Sequence, residues 1–217
     1  MISLETQLIS LAGKFSLKES SNKGIYEIQL FPKLTLVVDV SNYPKKPKIK
    51  VPKQITEISG ELEPFHPMYE NWDKRNPPLI ADILKNYRRT MEMISGIKAY
   101  LKKDLIKNIT SFAEQRYPEE GICVLRCLDG ALSDLVMNPG SSSTSFFVIF
   151  NPRSVGYDKR LIATCHFHPS GTANPSPEDR DAFKMYPINI ILGYPYSIKN
   201  FKVFNNVAQK IDFEIID

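Results

Sequence analysis

Apolar and polar residues alternate along three short segments in the first half of the chain. These segments are IYEIQL (25–30), LTLVVDV (34–40) and KIKV (48–51), and each is rich in β-branched or aromatic residues. Such alternation is typical of strands with one buried face. The short turns FPK and NYPKKP separate them. We therefore predict an antiparallel meander of three strands, preceded by a short helix over residues 2–15.

Helical spacing replaces this alternation in the middle of the chain. Apolar residues fall on one helical face from Ile80 to Leu101, directly after a pair of prolines that suits a helix start. A second helix is predicted over 104–116, where apolar residues again recur at helical spacing and a proline follows. We place a domain boundary near residue 104, between the two helices.

Strand patterns return in the second half. A serine-rich stretch, NPGSSSTS (138–145), is predicted to be a loop, and a short helix is predicted to begin near Ser176. The predicted strands are GICVLRCL (121–128), FFVIF (146–150), LIATCHF (161–167), INIIL (188–192) and KNFKVF (199–204). The fold class is therefore α+β or α/β in two domains, residues 1–103 and 104–217.

The composition suits a folded protein with a buried core, because 42% of the residues are hydrophobic and 11% are aromatic. No apolar run approaches the roughly 20 residues of a membrane helix, and the N-terminus lacks the pattern of a signal peptide. The three cysteines form no CxxC pair, which favours a reducing compartment. We expect a cytoplasmic protein that does not contact membranes.

Charge is unevenly distributed along the chain. Residues 1–107 hold 18 basic and 12 acidic residues, a charge of +6, whereas residues 108–217 hold 10 and 12, a charge of −2. This asymmetry is compatible with an ordinary solvated surface or with a basic docking face on the first half. No basic stripe interleaved with aromatic residues is present in the sequence, so we do not expect nucleic-acid binding.

Two of the three histidines lie in the segment LIATCHFHPSGTANPSPEDRDAF (161–183). In a strand, His166 and His168 project from the same face, and two imidazoles so placed can bind one zinc ion. If Ser176 caps the following helix, Asp179 in its first turn could be the third ligand. Two histidines and one carboxylate leave a position for water, as in catalytic zinc sites.

Each part of this pattern has a simpler interpretation. An HxH pair in a strand is more often two ordinary histidines, and a serine followed three residues later by an aspartate can be only a helix cap. The combination of H-x-H-P with S-x-x-D at this spacing is what predicts a metal site. We expect Cys123, Cys127 and Cys165 to be core residues and neither zinc ligands nor nucleophiles.

The segment that contains the two histidines resembles the signature of a known family. HFHPSGTANPSPED is similar to the signature of the JAMM (MPN-plus) zinc metalloproteases, and the resemblance covers about 108–217. It implies a cytidine-deaminase-like mixed β-sheet and a catalytic glutamate upstream. In RYPEEGICVL that residue is Glu120, with Glu119 as the alternative. The sequence departs from the family where the usual glycine-rich end of this strand reads LRCLDG.

The resemblance also implies a mechanism for hydrolysing an amide or isopeptide bond. Glu120 would accept a proton from the zinc-activated water and return it to the leaving amine. The Ser176 hydroxyl, together with zinc, would stabilise the oxyanion.

The first half resembles the RWD and ubiquitin-conjugating-enzyme-like folds over about 1–103. The resemblance rests on the YPxxP segment in VDVSNYPKKPKIKVPK and on Trp72, which stands in a loop before the long helix. Residues 1–122 contain no cysteine, so this half cannot carry ubiquitin as a thioester. The resemblance therefore implies a module that binds a ubiquitin-like protein, its conjugate or a conjugation-pathway protein. A generic α+β domain is the alternative.

These inferences predict a zinc-dependent isopeptidase that removes ubiquitin or a ubiquitin-like protein, with the first domain recruiting and the second cutting. Two alternatives remain open. One is a JAMM peptidase that processes a small sulfur-carrier or ubiquitin-like precursor. The other is a non-catalytic MPN scaffold, against which the complete set of predicted site residues argues. The linkage that is cut and the oligomeric state do not follow from the sequence.

Overall fold

The computed structural model describes residues 2–52, 66–136, 142–143, 148–149 and 158–217. Helices and sheets alternate in a mixed α/β arrangement. The chain divides into two compact units, Met1–Arg88 and Arg89–Asp217, within the long central helix. The sequence places the boundary near residue 104, and the assignment of the units to a binding domain and a protease domain stays a prediction.

The first unit contains the predicted helix and meander. Helix α1 begins after Ser3, whose side chain accepts a hydrogen bond from the Thr6 N–H and caps the helix. The sheet has the order β1-β2-β3-β4, and all its neighbours are antiparallel. Strand β1 is an addition to the three predicted strands. The elements are α1 (Leu4–Ala12), β1 (Ser16–Glu19), β2 (Ile25–Phe31), β3 (Leu34–Asp39) and β4 (Lys48–Lys50).

The YPxxP segment of the first unit is held by two side chains from the region before the long helix. The Trp72 indole N–H donates to the Pro44 carbonyl at 2.9 Å, and the buried Tyr69 hydroxyl donates to the Pro47 carbonyl at 2.7 Å. Tyr69 lies in the short helix α2 (Pro67–Glu70). The residues on which the RWD-like resemblance depends therefore contact one another, while the resemblance itself stays a prediction.

The long helix α3 spans Ile80–Ile94 and does not continue to Leu101 as predicted. Gly96 has a φ of +63° and ends the helix. Its N–H donates to the Met93 carbonyl, and the Ile97 N–H donates to the Glu92 carbonyl, which is the Schellman pattern of a helix C-terminus. The next residues form strand β5 (Lys98–Lys102), whose buried residues had continued the helical pattern by coincidence.

The second unit is built on a mixed sheet of seven strands in the order β12-β11-β10-β6-β7-β5-β13. Strand β10 lies in the middle, parallel to β11 and antiparallel to β6. The elements are α4 (Lys103–Arg116), β6 (Gly121–Leu128), β7 (Ala131–Val136), β8 (Ser142–Ser143), β9 (Val148–Ile149), β10 (Leu161–His168), α5 (Pro177–Ala182), β11 (Ile188–Gly193), β12 (Phe201–Asn205) and β13 (Asp212–Ile216).

Most of the predicted elements of this unit are present. The strands predicted at 121–128, 161–167, 188–192 and 199–204 correspond to β6, β10, β11 and β12, and the predicted mixed sheet is confirmed. Strands β5, β7 and β13 were not predicted. Strands β8 and β9 form a separate antiparallel pair. The other residues of NPGSSSTS and FFVIF lie outside the described residues.

A short connection joins the two edge strands of the seven-stranded sheet. Strands β12 and β13 lie at opposite ends of the strand order but follow one another in the chain. A tight connection joins them, in which the Asn205 N–H donates to Gln209 and the Ile211 N–H donates to Val203, both at 2.9 Å. Strands β10 and β11, toward the middle of the sheet, contribute fully buried residues such as Phe167 and Ile190 to the core.

No helix in the described part of the chain is both long and apolar enough to cross a bilayer.

The three cysteines are free and fully buried, so the structure places them in the core as predicted. Burial raises the pKa of Cys127 to about 12 and that of Cys165 well above its usual value. Because the thiolate is the reactive form, these thiols should react slowly in the folded protein. We expect negligible labelling by a disulfide reagent at pH 8 in native protein and three reactive thiols in guanidinium. Rapid native labelling of any cysteine would contradict this prediction.

Candidate metal centre

The central strand β10 directs alternate side chains to opposite sides of the sheet. The His166 ring lies 5.9 Å from the Phe183 ring, which follows α5, whereas the Phe167 ring lies 5.5 Å from the Phe112 ring of α4. His166 and His168 therefore share the face that carries α5, as their spacing predicts. Both are in register with β11 and lie near the end of β10, where the chain leaves the sheet.

The chain returns to this face through the start of α5. Ser176 is the N-cap residue, and its Oγ accepts a hydrogen bond from the Asp179 N–H at 3.0 Å. The Asp179 carboxylate in turn accepts from the Ser176 N–H at 2.8 Å, which completes a capping box. Pro177 occupies the first helical position. The cap predicted from the sequence is present, and it fixes Asp179 in the first turn.

The three predicted metal ligands meet at this point. Asp179 Oδ1 lies 2.9 Å from His166 Nδ1, and Asp179 Oδ2 lies 3.3 Å from His168 Nε2. The three side chains can present ligand atoms within 4.8 Å of one another. Asp179 and His168 are buried, with 7% of each residue exposed. A buried carboxylate between two imidazoles is the arrangement expected of a metal centre.

The hydrogen-bonding state of the histidines is suited to a metal ion. The Nδ1–H of His168 donates to the Thr172 carbonyl at 3.1 Å and thereby turns Nε2 toward Asp179, where loss of the Nε2 proton frees this atom to bind a metal. The Nε2 atom of His166 is buried and has no hydrogen-bond partner among the described residues. Two imidazole nitrogens and one carboxylate oxygen form a donor set that zinc prefers. The group is therefore consistent with zinc binding.

The two neighbouring histidines keep Asp179 in the ionised form that binds metal. Burial by itself would raise the pKa of Asp179, but hydrogen bonds with His166 and His168 lower it well below its usual range. Burial lowers the pKa of His168, yet the hydrogen bond and charge of Asp179 exceed this effect and raise it. The carboxylate and the two imidazoles therefore stabilise one another.

The cluster lies in a pocket of about 640 Å³ that also contains Glu120 and Ser176. Glu120 is half-buried, and this burial raises its pKa, with His168 opposing the shift and Asp179 adding to it. Glu119 is exposed instead and forms an ion pair with Arg116, with 3.9 Å between Oε2 and Nη1. The geometry thus favours Glu120 over Glu119 as the acid–base group, and its catalytic role stays a prediction.

Glu120 reaches the pocket because β6 approaches β10 closely at its first residue. Gly121 is paired with Phe167, the residue between the two histidines. A Cβ atom at Gly121 would lie 2.8 Å from Cδ2 of Phe167, so any larger residue would force the Phe167 ring or the backbone to shift. The sequence shows a glycine after the two glutamates, but the strand pairing that explains it requires the tertiary structure.

Substituting Gly121 with alanine should therefore destabilise the protein by about 1–3 kcal/mol, the usual cost of overpacking a core. The Phe167 ring is fully buried and contacts Phe112, which limits its ability to move aside. Urea denaturation would measure the effect. Gly13→Ala is the matched control, because a Cβ there meets only ordinary contacts at 3.4 Å or more. Equal stability of the two variants would contradict the packing argument.

Two further residues that support the site were not predicted from the sequence. The fully buried Asn189 of β11 accepts a hydrogen bond from the Thr164 hydroxyl of β10 at 2.8 Å. Its amide donates to the carbonyls of Phe183 and Tyr186, after α5. Asn189 therefore connects the strand of the histidines to the segment that carries Asp179. In the sequence, the only indication of this role was one asparagine within an otherwise apolar strand. No sequence pattern indicated that the Thr172 carbonyl would accept the hydrogen bond that orients His168.

Comparisons with known proteins give one curated relative and several solved structures. No family model matches the chain. Over 86 residues the chain is 27% identical to a probable metalloprotease from Haloferax volcanii, and the match covers 40% of this chain and 53% of that protein. The chain thus spans about half the length of this relative.

Two solved structures resemble part of the chain. One is described as a JAMM metalloprotease-like zinc site in the proteasome and signalosome, with a TM-score of 0.43 and 24% identity over 56% of this chain and 99% of that one. The other is a JAB1/MPN domain protein from Archaeoglobus fulgidus, with a TM-score of 0.42 and 23% identity over 55% of this chain and 97% of that one.

Proposed function

We propose that this protein is a zinc-dependent isopeptidase that hydrolyses the bond between the C-terminus of ubiquitin or a ubiquitin-like protein and its target amine. The observation that carries the proposal is one pocket that holds the His166, His168 and Asp179 cluster together with Glu120 and Ser176. The similarity to a probable metalloprotease supports the reaction class. The resemblance of the sequence to the JAMM signature supports the isopeptide substrate.

Each pocket residue has a chemical role in this proposal. Zinc bound to the three ligands would act as a Lewis acid and lower the pKa of a bound water to about 7. Glu120 accepts a proton and returns it to the leaving amine, and its raised pKa brings it closer to the range in which both transfers are efficient. Ser176 Oγ already accepts a hydrogen bond from the Asp179 N–H, so its own hydrogen remains available for the substrate carbonyl oxygen.

The first unit recruits the substrate or a conjugation-pathway protein in this proposal. Support comes from the YPxxP segment, which Trp72 and Tyr69 hold by hydrogen bonds, and from the absence of cysteine in residues 1–122. Residues 1–88 hold 13 basic and 10 acidic residues, and this net charge of +3 favours an acidic partner surface. Trp72→Ala should weaken binding of a ubiquitin-like protein or its conjugate to full-length protein that carries Glu120→Gln. Unchanged binding after this substitution would contradict the proposal that the region around Trp72 binds the partner.

The proposal is tested first by metal analysis and then by cleavage. We expect about one zinc per chain in purified or reconstituted protein, because the three ligands suit a single ion. The zinc-loaded protein should then cleave isopeptide-linked conjugates of at least one ubiquitin-like protein. Cleavage of a linear precursor alone would favour the precursor-processing peptidase. Bound zinc without hydrolysis of either substrate would favour the non-catalytic scaffold.

A further inference from the structure

Three tyrosines of the second unit form a cluster beside the candidate metal centre, which we name the tyrosine ledge (Tyr117, Tyr194 and Tyr196). The rings of Tyr117 and Tyr194 are stacked, with 4.6 Å between centroids and an angle of 24°. The ring of Tyr196 packs against Tyr194 edge-on at 5.7 Å. None of these residues was singled out by the sequence or is used in the proposed mechanism.

The ledge is joined to the pocket through the backbone at two places. Tyr117 precedes Glu120 by three residues in the loop that leads into β6. The Tyr194 N–H donates to the carbonyl of the metal-ligand candidate His168 at 3.0 Å. The Tyr194 carbonyl lies close to Gly171, where an added Cβ would come within 3.2 Å. Gly171 itself stands between the pocket residues Ser170 and Thr172. The ledge therefore lies next to residues that line the pocket.

The two stacked rings are unusually exposed for aromatic side chains that are held in a fixed geometry. Tyr117 is 49% exposed and Tyr194 is 45% exposed. A stacked pair has few rotatable bonds and a large apolar area, so it can bind a flat ligand group with little loss of conformational entropy. Exposed aromatic surface beside a pocket is typical of a binding site.

The third tyrosine adds an unused hydrogen-bonding group. Tyr196 is only 4% exposed, and its hydroxyl is buried without a hydrogen-bond partner among the described residues. Burying a hydroxyl without a partner is unfavourable, and a native protein rarely does so without a reason. Burial raises the pKa of Tyr196, and the charges of Tyr117 and Glu120 add to this shift, which is consistent with the ledge lying near Glu120.

We propose that the tyrosine ledge is a substrate subsite that binds an extended peptide segment next to the bond to be cleaved. The exposed, stacked rings of Tyr117 and Tyr194 would receive the flat peptide groups, and the buried Tyr196 ring supports Tyr194 from the side. A peptide is favoured over a nucleic acid because Glu119 and Glu120 lie in the same loop and would repel phosphate groups. This inference rests on the proposed function, since the pocket beside the ledge would supply the amide hydrolysis.

The test uses full-length, zinc-loaded protein with Glu120→Gln, which can bind without cutting. The probe is a fluorescent isopeptide in which an extended pentapeptide ending in glycine is joined to a lysine side-chain amine. We expect Tyr117→Ala and Tyr194→Ala each to weaken binding by about threefold to tenfold, as aromatic contacts of this kind contribute. Tyr117→Phe and Tyr194→Phe should bind normally, because phenylalanine keeps the aromatic ring that receives the peptide.

Two further measurements distinguish a subsite from a structural role. With Glu120 intact, the alanine variants should raise KM for the isopeptide while kcat and zinc content stay close to those of the parent. Val207→Ala, which shortens an exposed apolar residue of the β12–β13 connection, is the surface control. Loss of zinc in the alanine variants, or a fall in kcat without a change in KM, would overturn the subsite and indicate a structural role.

Failure of the subsite can be separated from failure of the proposed function. If the parent cleaves the isopeptide and the alanine variants keep its KM, the subsite is overturned and the isopeptidase stands. If no isopeptide is cut but the Glu120→Gln protein binds the probe through the ledge, the subsite is supported and the proposed isopeptidase activity is wrong. If this protein does not bind the probe at all, the subsite is overturned.

Discussion

Glu120→Gln is expected to lower the rate of isopeptide hydrolysis by about 10²–10⁴-fold while the protein keeps its zinc, because glutamine cannot accept or return a proton. Glu120 lines the pocket but does not belong to the His-His-Asp group, so its charge is not needed to hold the ion. Single-turnover assays of the zinc-loaded variant would measure the chemical step apart from substrate binding.

Glu119→Gln is the matched control for this prediction. Glu119 is the neighbouring residue, is exposed and pairs with Arg116, so the same substitution there should leave the rate nearly unchanged. Because burial raises the pKa of Glu120, the acidic limb of the wild-type rate profile should lie above the usual range of glutamate. This limb should be absent from the Glu120→Gln profile. A larger loss of rate with Glu119→Gln would reverse the assignment.

His168→Ala should reduce bound zinc from about one ion per chain to a small fraction of that, because two ligands rarely retain zinc. The substitution removes the imidazole whose orientation the Thr172 carbonyl fixes, and it leaves the buried Asp179 with His166 as its remaining imidazole partner. Hydrolysis should fall to background together with the metal. Elemental analysis after dialysis would measure the zinc content.

Glu178→Gln is the control for metal loss, since Glu178 precedes Asp179 on the same short helix but is exposed. This variant should keep its zinc. A chelator should lower the melting temperature of the parent and of Glu178→Gln but have little effect on His168→Ala, because only the first two lose a bound ligand. A His168→Ala protein that retains one zinc per chain would contradict the assignment of this ligand.

Local rules account for the parts of the site that the sequence predicted well. His166 and His168 share a face because strands alternate with a period of two residues. Ser176 and Asp179 form a capping box because the helix start leaves unpaired N–H groups that these side chains satisfy. Both relationships involve residues at most three positions apart, so neither depends on the rest of the fold.

The prediction that α3 continues to Leu101 was wrong because the end of this helix depends on the rest of the fold. Apolar residues continue at helical spacing past Ile94, and only the left-handed conformation of Gly96 ends the helix. The residues after it are buried because β5 pairs with β7 and β13. Periodicity reports that a residue is buried, but it does not distinguish burial against a helix from burial within a sheet.

The three candidate ligands, the cap that fixes one of them and the zinc that suits them could therefore be predicted without a structure, because each follows from short-range geometry and donor chemistry. The other parts of the site depend on contacts between distant segments of the chain. Pairing of Gly121 with Phe167 brings Glu120 to the pocket and leaves Glu119 at the surface. The stacking of Tyr117 on Tyr194 likewise joins segments far apart in the chain. Such contacts depend on strand order and register, which no local pattern of residues encodes.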